Sequence, residues 1–411
     1  MDFDLLTGNG NIASIIDFLL RETGRRDISE IDETVKLEAL CHVLQLGVSQ
    51  LDSMIADYSP VFRTIKGHVF EQVFDEILRR NHVVSEVIGG DTEVDRRVNG
   101  HTLQLKTPYA AGTHDSFVEY KTHKTHGAKS EREGMDYYSL ADSFAEYLVG
   151  LVSYSPLRIV FLHRDDLPRH PRDNHYIKSP FRFDISSGNG INRFDLIGID
   201  SVDLDTDFLR IGGHESLPRT SALLGVPSRF VLDTILQKSN FRIWDMNMRG
   251  FAREITLIAL LRSRGIHICP VSDLGARADK CDLVLRSHSG YSRFQIKGIT
   301  WNGCRFQGEN SVVDIESQLS RGRINDHPTQ SRLYLDSDFD FLILCMDPSY
   351  GNEFSRAVFD RTCHEWQYFC IPTEALRRHP MYPRRINSHQ FIAYTEILRY
   401  RIDDTWLAQW E

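Results

Sequence analysis

An Asn-Gly dipeptide at residues 99 and 100 constrains the fold more than any other feature, because it lies between two runs of β-prone residues. Both central residues of a type I′ turn need a positive φ angle, and Asn-Gly accepts it most readily. A two-residue turn fixes the register of the two strands, so Val98 faces His101. In the same register Asp95 faces Gln104. Directly opposed residues have Cβ atoms about 5 Å apart on one face of the sheet. The turn therefore predicts contact between Asp95 and Gln104.

The strand after the turn continues the same polar face. Lys106 is two residues beyond Gln104, and side chains two apart on a strand share a face. Leu103 and Leu105 point the other way, into a predicted core. The register also places Glu93 opposite Lys106, either as an ion-pair partner or as an additional metal ligand.

A second hairpin repeats this arrangement near residue 290. A turn centred on His288 and Ser289 places Asp282 opposite Gln295. Lys297 again follows the Gln by two residues. The residues on either side of Gln295 are apolar and are predicted to face a core. Two hairpins of different length thus predict the same grouping of an acid, an amide and an ammonium.

A helix that carries a glutamate precedes each hairpin. Gly67 is predicted to begin a helix with Glu71 in its second turn, and Gly250 and Glu254 repeat this pattern. Each helix ends in a basic turn and is followed by a short β-prone stretch. The two Glu residues are 183 positions apart, whereas the two hairpin Gln residues are 191 apart. The chain therefore contains a duplicated unit of roughly 190 residues.

The duplication defines the expected domain organisation of the 411 residues. Residues 1–60 contain apolar stripes at helical spacing and are expected to form a helical N-terminal region. Residues 61–230 and 231–411 are expected to form two domains, each with one copy of the unit. Below, Glu71, Asp95, Gln104 and Lys106 are called the first tetrad, and Glu254, Asp282, Gln295 and Lys297 the second tetrad.

The residue types in each tetrad favour metal-assisted phosphate chemistry. Carboxylate and amide oxygens are hard ligands that suit Mg²⁺. A bound metal polarises a phosphate and lowers the pKa of a bound water. A lysine beside it can orient that water and neutralise developing charge. The predicted Mg²⁺ ligands are the acids and amides: Glu71, Asp95 and Gln104 in the first tetrad, and Glu254, Asp282 and Gln295 in the second.

A helical Glu followed by Asp and then (D/E/Q)-x-K on a β-hairpin resembles the PD-(D/E)XK nuclease superfamily, in its subgroup with Gln before the Lys. The two tetrads are the matching residues, and the matched segments cover about a third of the chain. The resemblance implies an α/β class with two restriction-endonuclease-like α/β/α domains, each a mixed central sheet flanked by helices. It also implies Mg²⁺-dependent phosphodiester cleavage, and it suggests residues 157–162 and 339–345 as the next core strands. One departure is that neither Asp follows a Pro.

Composition limits the other classes of protein. The net charge of −9 excludes a protein that coats nucleic acid by bulk charge, but it allows local basic surfaces. The apolar runs are shorter than the ~18 residues of a membrane span, so no membrane association is expected. The acidic start predicts no signal peptide. Seven Cys without any C-x-x-C spacing indicate reduced thiols and a cytoplasmic location.

A basic run follows the first hairpin. Lys121, Lys124, Lys129 and Arg132 would suit contact with DNA phosphates, since cationic side chains neutralise backbone charge. The alternative is a solvated surface loop, and the sequence favours neither.

The functional hypothesis is therefore a Mg²⁺-dependent endonuclease acting on double-stranded DNA, with a type II-like restriction role. No helicase, ATPase or methyltransferase motif accompanies it. One alternative is a DNA repair or junction-resolving nuclease, and another is a DNA-binding regulator with degenerate nuclease folds. Cutting two strands requires two active centres, which either the two copies in one chain or a homodimer would supply.

Overall fold

The computed structural model divides into two compact units, one formed by Ile55–Ile235 and the other by Met1–Met54 together with Leu236–Glu411. The expected domain limits at residues 60 and 230 stay a prediction. The structure describes residues 1–3, 12–88, 93–109, 116–122, 139–237, 248–271, 281–287, 290–305, 312–318, 333–346 and 366–410. Within these ranges the protein is of the mixed α/β class.

Helices concentrate before each hairpin and in the N-terminal region. They are α1 Ile12–Thr23, α2 Glu33–Leu44, α3 Val48–Asp57, α4 Ser59–Arg80, α5 Pro218–Leu224, α6 Ser228–Ile235, α7 Arg249–Ser263, α8 Tyr394–Ile397 and α9 Asp404–Leu407. None of the helices in the described ranges is long and apolar enough to cross a membrane.

The helix that carries Glu71 begins earlier than the sequence suggests. The prediction that it begins at Gly67 is wrong, because α4 already starts at Ser59 with a proline in its first turn. Proline suits that position, since its φ angle is already helical and its missing N–H is not needed there. The helix runs through Gly67 because buried Val61 and Ile65 anchor its first turns, which outweighs the modest helix cost of one glycine.

The unit Ile55–Ile235 contains a five-stranded sheet. Its strands and those of two small ribbons are β1 Ser85–Val87, β2 Arg96–Val98, β3 His101–Lys106, β4 Phe117–Tyr120, β5 Tyr147–Tyr154, β6 Leu157–His163, β7 Arg169–His170, β8 Asp173–Ile177 and β9 Phe181–Asp184. The sheet order is β1-β2-β3-β5-β6, with β4 paired to β9 and β7 to β8. Helix α4 packs beside β3 and α6.

The other unit contains a seven-stranded sheet. Its strands are β10 Ile268–Cys269, β11 Leu283–Ser287, β12 Gly290–Arg305, β13 Val312–Glu316, β14 Phe341–Met346, β15 Gln367–Pro372 and β16 His389–Ala393. The first half of β12 pairs with β11 and β14, and its second half pairs with β13, which in turn pairs with β16. Helix α7 contacts β10 and β12.

Five strands in each unit follow one pairing scheme. In β1-β2-β3-β5-β6 the successive pairings are antiparallel, antiparallel, parallel and antiparallel. The series β10-β11-β12-β14-β15 has the same four pairings in the same order. Each series follows a helix that carries the tetrad Glu. The duplication inferred from residue spacing is thus present in the topology.

One strand assignment needs correction. Residues 157–162 are a strand of this sheet, but they are not the next one after β3: Tyr147–Tyr154 lies parallel to β3, and Leu157–His163 pairs beyond it. Both segments are apolar, so only long-range pairing distinguishes them. In the second unit Phe341–Met346 lies beside β12, as predicted for residues 339–345.

Buried apolar side chains hold each sheet. A cluster that includes Val118, Tyr120 and Leu148 packs in the unit Ile55–Ile235, and one that includes Val284, Leu344 and Phe369 packs in the other unit. In the latter unit Trp366 is buried and its indole N–H donates a 3.1 Å hydrogen bond to the carbonyl of Leu44. This contact ties α2 to the C-terminal part of the chain, which explains why residues 1–54 belong to that unit.

Candidate active site

The turn of the first hairpin has the predicted conformation. Asn99 and Gly100 have φ angles of 48° and 90°. The ladder pairs Val98 with His101 and Arg96 with Leu103, as a two-residue turn requires. The register inferred from the dipeptide is therefore confirmed.

Asp95 and Gln104 meet across this hairpin. The side-chain amide of Gln104 donates a 2.6 Å hydrogen bond to Asp95 Oδ2, and the backbone N–H of Leu105 donates one of 2.7 Å to the same oxygen. The backbone N–H of Asp95 donates to the carbonyl of Leu103 at 2.8 Å. The Asp95 carboxylate is thus held by two donors on one oxygen, and among the described residues no hydrogen bond reaches Oδ1, which leaves its lone pairs for another partner.

The second hairpin repeats these contacts atom for atom. Its ladder pairs Leu283 with Phe294, in the predicted register; the two turn residues lie outside the described ranges. Gln295 Nε2 donates to Asp282 Oδ2, and the N–H of Ile296 donates to the same oxygen at 2.8 Å. The N–H of Asp282 donates to the Phe294 carbonyl at 2.9 Å. Both hairpins therefore contain the same hydrogen-bonded pair, which we call the Asp–Gln clasp: Asp95 with Gln104, and Asp282 with Gln295.

Burial makes the clasp more than a surface contact. Gln104 and Gln295 are only 6% and 4% exposed. Burying a charged carboxylate costs free energy unless it is hydrogen-bonded. In line with this cost, burial raises the pKa of both Asp95 and Asp282. The nearby Lys106 and Lys297 oppose that shift by favouring the charged carboxylate. Each hairpin thus holds an aspartate and a lysine close together where little water reaches them.

The helical Glu of the first tetrad is bound by an arginine and a histidine. Glu71 Oε2 lies 3.2 Å from Nη2 of Arg96, and Glu71 Oε1 lies 3.4 Å from Nδ1 of His68. Burial alone would raise the pKa of Glu71, but His68 and Arg96 outweigh it, so the pKa lies below its ordinary value. Arg96 also pairs with Asp75, at 3.0 Å. Glu71 is therefore held in its ionised form, with both carboxylate oxygens engaged by side chains of the chain itself.

The helical Glu of the second tetrad has a different environment. Burial, and then the charge of Asp282, raise the pKa of Glu254 to about 8, against the opposing charges of Lys297 and Arg253. Burial lowers the pKa of Lys297, while Asp282, Glu316 and Glu254 favour its charged form. Two half-buried acids, one of them with a strongly raised pKa, thus lie beside a lysine and an arginine, and such perturbed charge groups accumulate at functional sites.

The sequence positions explain this difference. Arg96 follows Asp95 directly, whereas Leu283 follows Asp282. With the two helices aligned on their Glu residues, Asp75 corresponds to Ile258. The second tetrad therefore lacks the arginine and the acid that neutralise and anchor the first.

Three residues near the second tetrad were not predicted. A Cβ atom on Gly298 would collide with Nη1 of Arg253, so the guanidinium lies directly against the strand beside Lys297. Lys297 Nζ lies 5.4 Å from the ring centre of Tyr334. Glu316 is close enough for its charge to raise the pKa of Lys297. The Gly after the Lys was a signal for close approach of another group; Tyr334 and Glu316 carry no local signal.

The remaining predicted residues are only partly described. Lys121 follows β4, and its Nζ lies 4.7 Å from the ring centre of Tyr109. Glu93 is buried and accepts a 3.5 Å hydrogen bond from Ser143 Oγ; its pairing with Lys106 stays a prediction. The other three members of the basic run lie outside the described residues: Lys124, Lys129 and Arg132.

The donor sets differ in their fit to Mg²⁺. Within the described ranges no three His, Cys, Asp or Glu side chains are grouped to hold a metal ion, and each tetrad supplies two carboxylates and an amide. That small set is compatible with Mg²⁺, which commonly takes one or two carboxylates and fills its shell with water and substrate phosphate. The second tetrad fits, because a divalent cation would balance its two acids. In the first tetrad Arg96 and His68 already bind Glu71.

Comparison of the chain with protein-family models, curated proteins and solved structures finds no match. The candidate site accordingly stands on its own geometry.

Proposed function

We propose that the chain is a Mg²⁺-dependent endonuclease that hydrolyses phosphodiester bonds of double-stranded DNA, with a type II-like restriction role. The observation that carries this proposal is the Asp–Gln clasp, formed twice with a lysine on the same strand and a glutamate on the preceding helix. The repeated strand order supports the finer proposal of two PD-(D/E)XK-like α/β/α domains.

In this proposal the acids and the amide of a tetrad would hold the cation. The clasp fixes the Asp rotamer, so that Oδ1 is presented without further reorganisation. Glu71 or Glu254 would complete the set from the helix. When bound, Mg²⁺ polarises the phosphate and lowers the pKa of a coordinated water.

The lysine acts on the reacting phosphate. Hydrolysis forms a bond between a water oxygen and phosphorus and breaks one P–O ester bond, and the departing ester oxygen takes up a proton. Lys106 or Lys297, on the same strand face as the Gln, would orient the water and stabilise negative charge on the phosphoryl oxygens. The basic run beginning at Lys121 would contact neighbouring backbone phosphates.

A plasmid assay tests the proposal. Supercoiled and linear DNA are incubated with the protein in Mg²⁺ or in EDTA, and the ends are mapped. We expect Mg²⁺-dependent cleavage at a defined sequence, and loss of cleavage by 100-fold or more (roughly the contribution of one electrostatic catalytic group) in the double variant Lys106→Ala/Lys297→Ala. The exposed Lys178, changed to Ala, is the matched control. Unchanged cleavage by the double variant would show that the mechanism is wrong.

The alternatives give different results in the same assay. A repair or junction-resolving nuclease would prefer branched or damaged DNA to an intact duplex and would give no discrete bands. A DNA-binding regulator would retain DNA in EDTA and would not cut in Mg²⁺. The two intact sets of Asp, Gln and Lys favour the enzyme, because we expect a decayed nuclease copy to have lost its lysine.

A further inference from the structure

Arg96 occupies the centre of the acidic face of the first tetrad. Its side chain is 7% exposed. Its Nε and Nη2 donate to both oxygens of Asp75, at 3.0 Å each to Oδ1 and Oδ2. Nη1 donates a 3.0 Å hydrogen bond to the backbone carbonyl of Asp95, and Nη2 also reaches Glu71 at 3.2 Å. All three guanidinium nitrogens are therefore engaged in a fixed geometry.

These contacts engage the carboxylate of Glu71, which a metal ion would need as a ligand. Glu71 is paired through one oxygen with Arg96 and through the other with His68. A divalent cation bound to Glu71 would face the guanidinium as a like charge. Displacing Arg96 would separate a buried cation from Glu71, which is strongly unfavourable. The guanidinium of Arg96 thus supplies the first tetrad with a positive charge that belongs to the chain itself.

The second tetrad has no arginine at the strand position of Arg96; its nearby guanidinium, that of Arg253, comes from the helix and lies against the strand beside Lys297. The positions of Arg96 and Asp75 are taken by the apolar residues Leu283 and Ile258. Within the part of the chain that the structure describes, Glu254 forms no ion pair. The clasp itself is the same in both hairpins, so the difference is confined to the side chains that supply charge.

We infer that Arg96 is a built-in counter-ion that takes the place of a divalent cation in the first tetrad, so that only the second tetrad loads a metal ion. The inference rests on the proposed function, since it concerns which of the two sites uses the metal. One consequence is that a single chain cuts one strand at a time, and a double-strand break requires two chains or two successive events.

Cation binding by the full chain without DNA tests this directly. Mn²⁺ serves as the probe, and free Mn²⁺ is measured by electron paramagnetic resonance during a titration. We expect one ion per chain for the wild type and none for Asp282→Asn. The double variant Arg96→Leu/Asp75→Ile gives the first copy the residues of the second, and we expect it to bind two ions.

Arg97→Leu is the matched control for that double variant. Arg97 lies on the same strand, its side chain is 49% exposed, and it pairs with Glu86 on the surface. Its loss removes one positive charge from the same strand without touching the tetrad, so we expect one ion per chain. Circular dichroism establishes that each variant is folded. If the double variant does not fold, the single variant Arg96→Gln, which removes the charge and keeps a hydrogen-bonding side chain, takes its place with the same expectation of two ions.

Several results would overturn the inference. These are two ions or none on the wild type, an ion that persists in Asp282→Asn, or a folded double variant that still binds one. The plasmid assay separates this from the proposed function. Wild-type protein that cleaves DNA and binds two ions keeps the function and rejects the role of Arg96. Protein that binds one ion through Asp282 but never cleaves DNA keeps the asymmetry and rejects the nuclease.

Discussion

Gln104 donates a 2.6 Å hydrogen bond to Asp95 across a hairpin whose turn fixes which residues can meet. Gln295 makes the same contact with Asp282 in a hairpin with longer arms. Two different local sequences therefore converge on one arrangement of a buried acid held by an amide. That convergence is the reason to regard the clasp as a site and not only as a means of pairing strands.

Replacing Gln104 by Leu should test what the clasp contributes to stability. The change removes one of the two donors to Asp95 Oδ2 and leaves a buried carboxylate partly unsatisfied. We expect a loss of about 1–3 kcal/mol in the free energy of unfolding. Urea denaturation measures it, with exposed Arg97→Leu as the control, expected to change stability by less than about 0.5 kcal/mol. An equal effect of the two variants would mean that the hydrogen bond does not stabilise the hairpin.

The stability of the protein should fall as the pH rises from about 5 to about 8, in the absence of divalent cations. The pKa of Glu254 is raised to about 8 in the folded protein. The folded state therefore holds a proton that the unfolded state has released, so the free energy of unfolding decreases with pH across that interval. Thermal melts in EDTA measure this, and Glu254→Gln should flatten the curve. A wild-type curve that rises with pH while that of Glu254→Gln stays parallel would contradict the assignment.

Gly298→Ala should perturb the second tetrad while leaving the first intact. A Cβ atom there would collide with Nη1 of Arg253, so the guanidinium must move away from the strand beside Lys297. We expect cleavage to fall by roughly tenfold or more, since misplacing a charged group near a reacting phosphate is costly. Initial rates of plasmid nicking measure it.

Gly250→Ala is the control for that substitution. Gly250 lies in the first turn of α7, and a Cβ atom there meets nothing within 4 Å. We expect unchanged cleavage and equal or slightly higher stability. If both Ala variants cleave at the wild-type rate, the position of Arg253 is irrelevant to the reaction.

Gly150→Ala should destabilise the core of the unit Ile55–Ile235. Its Cβ atom would lie 2.5 Å from the ring of Tyr120, which is fully buried and donates a 2.8 Å hydrogen bond from its hydroxyl to the carbonyl of Leu151. Overpacking of this kind costs about 1–3 kcal/mol. Chemical denaturation measures the loss.

Gly67→Ala serves as the contrasting variant. Gly67 lies inside α4, and a Cβ atom there meets nothing within 4 Å. Alanine is the better helix former, so the free energy of unfolding should rise by about 0.5–1 kcal/mol. A loss of stability at both glycines would show that the helix, too, is closely packed at this point.

The sequence alone determined the hairpins and their polar face. A positive φ at Asn99 and Gly100 is a local property of the dipeptide, and a two-residue turn leaves one register, so the contact of Asp95 with Gln104 followed without tertiary information. The helical positions of Glu71 and Glu254 followed from apolar periodicity in the same way.

Only the tertiary structure decided how the two sites differ and which segments surround them. The choice of Tyr147–Tyr154 as the strand beside β3, and the packing of α2 against Trp366, depend on contacts between residues far apart in the chain. The pairing of Arg96 with Glu71 depends on where a helix lies over a sheet. Local patterns specify turns, registers and faces because those involve neighbouring residues, whereas the charge balance of a buried site is set by every element that packs around it.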